Sequence, residues 1–258
     1  MECLRGRYTE VWCATQNVSL ARFADRARSI LSTGLDWLGL PDADPPPRLI
    51  SDLRSFDEII SWYGFGNQDF QRHVSELNLP LRFLSALPPS EGDKLQHAAD
   101  FFLDQARKIG PCDRSAVPRL PIQRDPEGSS DFLVIHPFAS SPTKRWDLNK
   151  FKKVASRMPV HVRWCAGPEE TLDGAVRFDD LYQLAIWLSR ARVYLGNDSG
   201  ISHLAAAVGV PVVALFGPTR PEIWAPRGEH VRVMRDMEKL TVEEVCEAVL
   251  HMAQFKAR

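Results

Sequence analysis

The chain has 258 residues, of which 44% are hydrophobic and 25% charged, and its formal net charge is −1. That length holds one large domain or two small ones with a sizeable core, while the balanced charge argues against a global field for nucleic acid or an anionic membrane surface. Five scattered cysteines (Cys3, Cys13, Cys112, Cys165, Cys246) without a CxxC spacing argue against zinc, redox and disulfide frameworks and suit a reducing cytosol, and no apolar run approaches the ~18 residues of a membrane span.

In chain order, EVWCAT (Glu10–Thr15) reads as a strand and LARFADRAR (Leu20–Arg28) as a helix. PDADPPPR (Pro41–Arg48) is too rich in proline to continue either element. DEIISWYG reads as a strand, QRHVSEL as a short helix, LRFLSAL as a strand and GDKLQHAADFFLDQARKIG as a long amphipathic helix. Gly110–Asp131 carries Pro111, Pro118, Pro121 and Pro126 and few packing residues, as a linker would. FLVIHPF (Phe132–Phe138) is then a buried strand. Leu148, Phe151, Val154 and Met158 follow at the spacing of one helix face. VHVRWCAG is a second strand and VRF (Val176–Phe178) a short third. DDLYQLAIWLSRA is a helix capped by Asp179 or Asp180. RVYLGND, the helix GISHLAAAVG closed by Gly209, the strands PVVALFG and VRVMR, and a last helix with Thr241 and Glu244 in capping-box positions complete the chain. Strands alternating with helices predict a parallel sheet covered on both faces. The predicted division is an N-terminal unit at 1–110, a linker at 111–130 and a C-terminal unit at 131–258, with a cleft between two α/β units.

In such sheets ligands bind beyond the carboxyl ends of the strands. Four of those ends carry candidate chemistry. After RVYLGN come Asp198, Ser199, Gly200 and, one turn into the helix, His203. Unpaired helix N–H groups suit phosphate, Gly200 leaves room for its approach, and Ser199 either caps the helix or bonds a phosphate oxygen. Asp198 is repelled by phosphate and suits a cap or sugar hydroxyls; the bland alternative is a plain strand–helix turn. After FLVIHPF come Ser140, Ser141, Thr143, Lys144 and Arg145, hydroxyls and cations that suit a diphosphate or are merely a solvated loop. After the second strand, Glu169 or Glu170 can hold ribose hydroxyls or simply favour the helix dipole. After PVVALFG, Arg220 and Arg227 face an anion or close a loop through ion pairs. No Walker A loop is present, YGFGNQDF lacks the third glycine of GxGxxG, which disfavours a dinucleotide enzyme, and His97 fits a helix surface or core edge.

The run GNDSGISHLAAAVGVPVVALFGPTRPEIWAPRGEHVRVM (Gly196–Met234) closely resembles the C-terminal signature of glycosyltransferase family 9, the ADP-heptose:lipopolysaccharide heptosyltransferases and their relatives. HPFASSPTKRWDLNKF and AGPEE resemble further segments of that family, and ARFADRARSILSTG and HAADFFLDQ do so less specifically. The resemblance implies a GT-B architecture, two Rossmann-like domains facing a cleft, with the N-terminal one incomplete. It implies inverting, metal-independent transfer of a heptose or similar sugar from a nucleotide diphosphate, ADP-linked, to a lipopolysaccharide-type or other cell-envelope glycan. The donor is a substrate rather than a cofactor, and the acceptor a glycolipid or glycan at the inner membrane surface, reached from the cytoplasm; neither nucleic acid nor a transmembrane segment is involved. Ser141, Lys144, Ser199, Gly200 and His203 correspond to diphosphate contacts, Asp198 to a donor-sugar contact and Glu169 to the ribose contact. The family's first strand, glycine turn and Gly-Asp base have no counterpart in the opening MECLRGRYTEVWCAT. The general base is therefore unassigned, with Asp52, Asp57 and Asp69 the first-half alternatives, and a nucleotide-sugar-binding homologue impaired in catalysis is the rival expectation.

Overall fold

The computed structural model describes residues 4, 6–40, 44–89, 95–112, 115–122 and 131–255. Parts of the expected proline-rich loop (41–43), of the long helix (92–94) and of the linker (113–114, 123–130) lie outside the described residues, as does Cys3. The chain divides into two compact units, Met1–Pro89 with Phe102–Asp113, and Ser90–Phe101 with Arg114–Arg258. No helix among the described residues is long and apolar enough to cross a membrane.

The first unit holds two separate parallel strand pairs. β1 (Glu10–Cys13) pairs with β2 (Arg26–Ser29) in the register Glu10↔Arg26 to Cys13↔Ser29. β3 (Ile59–Ser61) pairs with β4 (Leu81–Phe83) in the register Ile59↔Leu81 to Ser61↔Phe83. α1 (Pro47–Arg54) and α2 (Gln68–Glu76) lie between them in sequence, and α3 (Ala98–Ile109) contributes its residues from Phe102 onward. The core gathers Leu35, Leu38, Leu49, Leu53, Phe70, Val74 and Leu79. Phe70 meets Tyr63 and Phe83 edge-on. Gly64 has φ +79°, and a Cβ there would lie 2.5 Å from the Phe70 ring. The glycine of YGFG is thus explained by a tight turn over an aromatic ring.

Two expectations fail here. Leu20–Arg28 is not a helix: its end forms β2, with the Asp25 and Arg26 amides already bonded to the Thr9 carbonyl and the Arg28 guanidinium held by Glu10 at 2.5 Å. Leu20, Phe23, Ala24 and Ala27 have helical spacing, but pairing with β1 overrides it. Conversely, the proline-rich segment ends in a helix, because Pro47 occupies the first helical position, where a missing N–H costs nothing.

None of the four strands of this unit is buried along its length; Ser61 is the one buried residue among them. β1 and β3 both border a cavity of about 920 Å³, lined by Val11, Trp12, Phe56, Ile59, Ile60 and Trp62 among others. Short, half-exposed parallel pairs are weakly held. Amide hydrogen exchange of β1–β4 is therefore expected to be faster than that of the central strands of the second unit by about two orders of magnitude or more. Equal protection would contradict this account of the first unit.

The second unit is a five-stranded parallel sheet. In sequence its strands are β5 (Phe132–His136), β6 (His161–Trp164), β7 (Val193–Asn197), β8 (Val212–Leu215) and β9 (Val231–Met234), and in space they run β6-β5-β7-β8-β9. Val176 forms a single parallel bridge to Cys165, just beyond β6. That bridge is the remnant of the expected third strand, and with it the order is that of a doubly wound sheet. The direction of winding reverses between β5 and β7, which places a crevice at their carboxyl ends. β5, β7 and β8 are buried at every residue, as strands covered on both faces must be. The core joins Leu133, Ile135, Leu195 and Val213 to Phe151 of α4 (Leu148–Ala155) and Val245 of α8 (Val242–Met252). α5 (Leu181–Leu188), α6 (Gly200–Ala207) and the single turn α7 (Pro221–Trp224) complete the unit. The capping box read from Thr241 and Glu244 is present.

Candidate functional site

The carboxyl ends of β5, β6, β7 and β8 bring most of the candidate residues to one edge of the second unit. The segment leaving β7 is anchored by Asn197, which is fully buried. Its side-chain amide donates to the Pro137 carbonyl at 2.8 Å and accepts from the Trp146 amide at 3.1 Å. Asn197 thereby fastens both ends of the Pro137–Trp146 loop to β7. Ser202 donates to the Asn197 carbonyl at 2.6 Å and lies 3.2 Å from the Tyr194 hydroxyl, tying α6 to the strand before it. Neither residue was singled out from the sequence: Asn197 acts on partners about 50 to 60 positions away, and only its place at the end of an apolar strand marks it. Removing the side chain strands two buried backbone groups, so Asn197→Ala is expected to cost about 2–4 kcal/mol in urea unfolding. A loss below about 0.5 kcal/mol would contradict this anchoring role.

Asp198 follows, buried, and joins three strand ends. Its amide donates to the Leu215 carbonyl at 3.0 Å. Its Oδ2 accepts from Lys144 Nζ at 2.9 Å and from the Thr219 hydroxyl at 2.7 Å. Among the described residues both side-chain bonds to Asp198 fall on Oδ2. Lys144 is held at one of its three N–H groups and keeps 26% of its side-chain surface exposed. Ser199 is the residue before α6, in extended conformation (φ −150°, ψ 160°), and its hydroxyl does not cap the helix. α4, α5 and α8 are all capped by side chains, from Asp147, Asp180 and Thr241. Among the described residues the first amides of α6 thus lack the side-chain cap that those helices have, and a helix start of this kind attracts an anion. At Gly200 a Cβ would meet no protein atom within 4 Å.

His203, one turn further, is exposed on one face. Desolvation by the surrounding chain lowers its pKa, His97 adds to that, and Asp198 and a hydrogen bond to the Trp224 backbone oppose it. Ser141 begins the single 3-10 turn Pro142–Lys144, accepting from the Thr143 amide at 3.3 Å. The structure brings Ser199, Gly200 and Lys144 together around Asp198.

Glu169 lies exposed on the turn after β6, whereas Glu170 turns back toward the sheet. Glu170 Oε2 accepts from the Gly167 amide at 2.6 Å and from His136 Nε2 at 3.3 Å. Burial pushes its carboxyl up, but the hydrogen bonds from His136 and Gly167, with the nearby charge of Arg145, outweigh this and hold the pKa below the usual value. Cys165 beside it is no nucleophile, since burial pushes its thiol up to about 12.

Arg145 and Arg227 are already engaged. Arg145 donates twice to the Ala139 carbonyl, and Arg227 forms a two-pronged pair with Asp100. His97 is a core-edge histidine bonded to the Ala225 carbonyl at 2.9 Å. Of the first-half aspartates, Asp52 pairs with Arg28 and Asp69 with Arg72, while Asp57 borders the first unit's cavity.

Comparison with known proteins identifies the family and the fold. Residues 98–250, more than half of the chain, match glycosyltransferase family 9 (heptosyltransferase). Over 122 residues the chain is 33% identical to lipopolysaccharide heptosyltransferase 3 of Escherichia coli strain K12, which covers 39% of this chain and 35% of that protein. The chain therefore spans about a third of the length of that relative. The structure of E. coli ADP-heptose LPS heptosyltransferase II superposes with a TM-score of 0.70 at 15% identity, over 97% of this chain and 90% of that one. E. coli heptosyltransferase WaaC with ADP gives 0.66 at 14% identity, over 97% and 92%. These likenesses show the fold, α/β of the GT-B type.

Proposed function

The chain belongs to glycosyltransferase family 9, and from that premise we propose that it transfers a heptose or similar sugar from an ADP-linked donor to a lipopolysaccharide-type glycan acceptor. One observation carries the proposal. The start of α6, without a side-chain cap and open at Gly200, lies next to a lysine tethered through Asp198 at the switch point of a parallel sheet. That is the chemistry a diphosphate needs: backbone N–H groups, a cation and room for approach.

In this reading the donor diphosphate rests on the α6 amides, Ser199, His203 and Lys144, with Ser141 on the neighbouring turn. The sugar hydroxyls face Asp198 Oδ1. The ribose contact, expected at Glu169, falls to Glu170, because Glu170 is the carboxylate that the turn aims at the sheet edge. As the bond from the anomeric carbon to the diphosphate breaks, negative charge grows on the leaving oxygen. The α6 amides and Lys144 are placed to stabilise it, which makes the transfer independent of a metal ion. Attack by the acceptor hydroxyl on the opposite face inverts the anomeric centre, and its proton passes to a base this reading does not assign. The acceptor is taken to be a glycolipid presented at the inner membrane surface to a protein on the cytoplasmic side. That E. coli heptosyltransferase WaaC is seen with ADP favours adenine as the nucleobase of the donor.

A second reading, donor binding without transfer, draws support from Asp52 and Asp69, both occupied by arginines. Calorimetry with ADP and ADP-heptose, followed by a turnover assay on a lipopolysaccharide acceptor, separates the two. Binding with turnover supports the transferase and binding without turnover the second reading; no binding, with no effect of Lys144→Ala or His203→Ala, overturns both.

A further inference from the structure

His136 is the last residue of β5, the strand flanked by β6 and β7 at the switch point, and its side chain is 5% exposed. Burying an imidazole at a strand end costs solvation, and only hydrogen bonds repay it. Its Nε2 has one partner among the described residues, Glu170 Oε2 at 3.3 Å, and its Nδ1 has none. A carboxylate oxygen only accepts, so Nε2 carries the proton and donates. The ring is fixed from the other side by Phe138, edge-on at 6.0 Å, over which the Arg145 guanidinium sits at 5.7 Å.

Glu170 would otherwise be a flexible side chain on a loop. Its Oε2 is taken by the Gly167 amide and by His136, and among the described residues Oε1 receives no hydrogen bond. The two donors lock the carboxylate with one oxygen spent on the protein and the other left over. A ligand that meets a locked acceptor does not have to order it, and this raises affinity for groups that can donate in that direction.

We infer that His136 is a positioning residue: through its Nε2–H it fixes Glu170 so that Oε1 reads the hydroxyl donors of the nucleotide's ribose, giving the site its preference for ribonucleotides. The inference rests on the assignment of the ribose to Glu170. It concerns a residue that touches no ligand itself and acts only through its neighbour.

The test compares ADP, 2′,3′-dideoxy-ADP and pyrophosphate by calorimetry on the full chain. The wild type is expected to prefer ADP over the dideoxy form by roughly tenfold or more. His136→Phe should bring that ratio close to one while leaving pyrophosphate affinity within about twofold. His136→Gln, whose amide nitrogen reaches the position of Nε2, should restore the preference. His136→Asn, whose amide nitrogen stands nearer Nδ1, should not. If the wild type binds ADP without preferring it to the dideoxy form, the ribose assignment of Glu170 fails. If the wild type discriminates and a folded His136→Phe discriminates equally, the positioning role is overturned. Should His136→Phe not fold, the Gln and Asn variants decide, and equal ratios in the two overturn it.

Discussion

Replacing Lys144 by methionine is expected to weaken ADP binding by about 10- to 100-fold and to destabilise the second unit by about 1–3 kcal/mol. The two losses have different causes. Asp198 is buried and accepts from Lys144 and Thr219. Without the ammonium its charge keeps, among the described residues, only the Thr219 hydroxyl, and the penalty is that of a buried charge stripped of its counterion. It stays moderate because Lys144 is partly exposed and already screened by water. The binding loss comes from the remaining N–H groups of Lys144, which are assigned to the diphosphate. Adding Asp198→Asn to Lys144→Met removes the uncompensated charge, since an asparagine can still accept from Thr219. The double variant should recover most of the stability, read from urea midpoints, but not the ADP affinity, read by calorimetry. A double variant that binds ADP like the wild type would make Lys144 a purely structural partner of Asp198.

Gly200→Ala is expected to move stability and binding in opposite directions. Gly200 is the first residue of α6, its φ lies outside the left-handed region, and an added methyl group meets open space. Less chain entropy is lost on folding, so a gain of up to about 0.5–1 kcal/mol follows. The same methyl group stands where a phosphate would approach the α6 amides, and ADP affinity should fall by about 10- to 100-fold. A more stable protein that binds its donor less well cannot be explained by damage to the fold. Unchanged affinity would show that no phosphate approaches Gly200.

Much of the second unit was legible because its strands are short apolar runs bounded by turn residues and its helices carry their own caps. The capping box at Thr241 and the cap at Asp180 depend only on residues two or three positions apart. The third strand, read as Val176–Phe178, survives as one bridge at Val176. In the first unit local spacing misled, since the helical pattern of Leu20–Ala27 yields to pairing of Arg26–Ser29 with a strand 16 residues earlier. The candidate site shows the same division. Ser199, Gly200 and His203 were readable because they share one strand–helix junction. The bond between Lys144 and Asp198 spans 54 positions and that between His136 and Glu170 spans 34, and no local pattern encodes either. Glu169 and Glu170 are indistinguishable by chemistry and position in the sequence. Only the path of the turn after β6, with the Gly167 amide aimed at Glu170, separates them.

Titrating ADP into the protein while following backbone amides by hydrogen exchange or NMR tests the assignment of the donor site most directly. Perturbations concentrated at 141–144, 167–170 and 198–203, and strongest at the first amides of α6, are the predicted result. Saturable ADP binding that leaves those amides untouched, or that maps to the cavity bordered by β1 and β3, would contradict it.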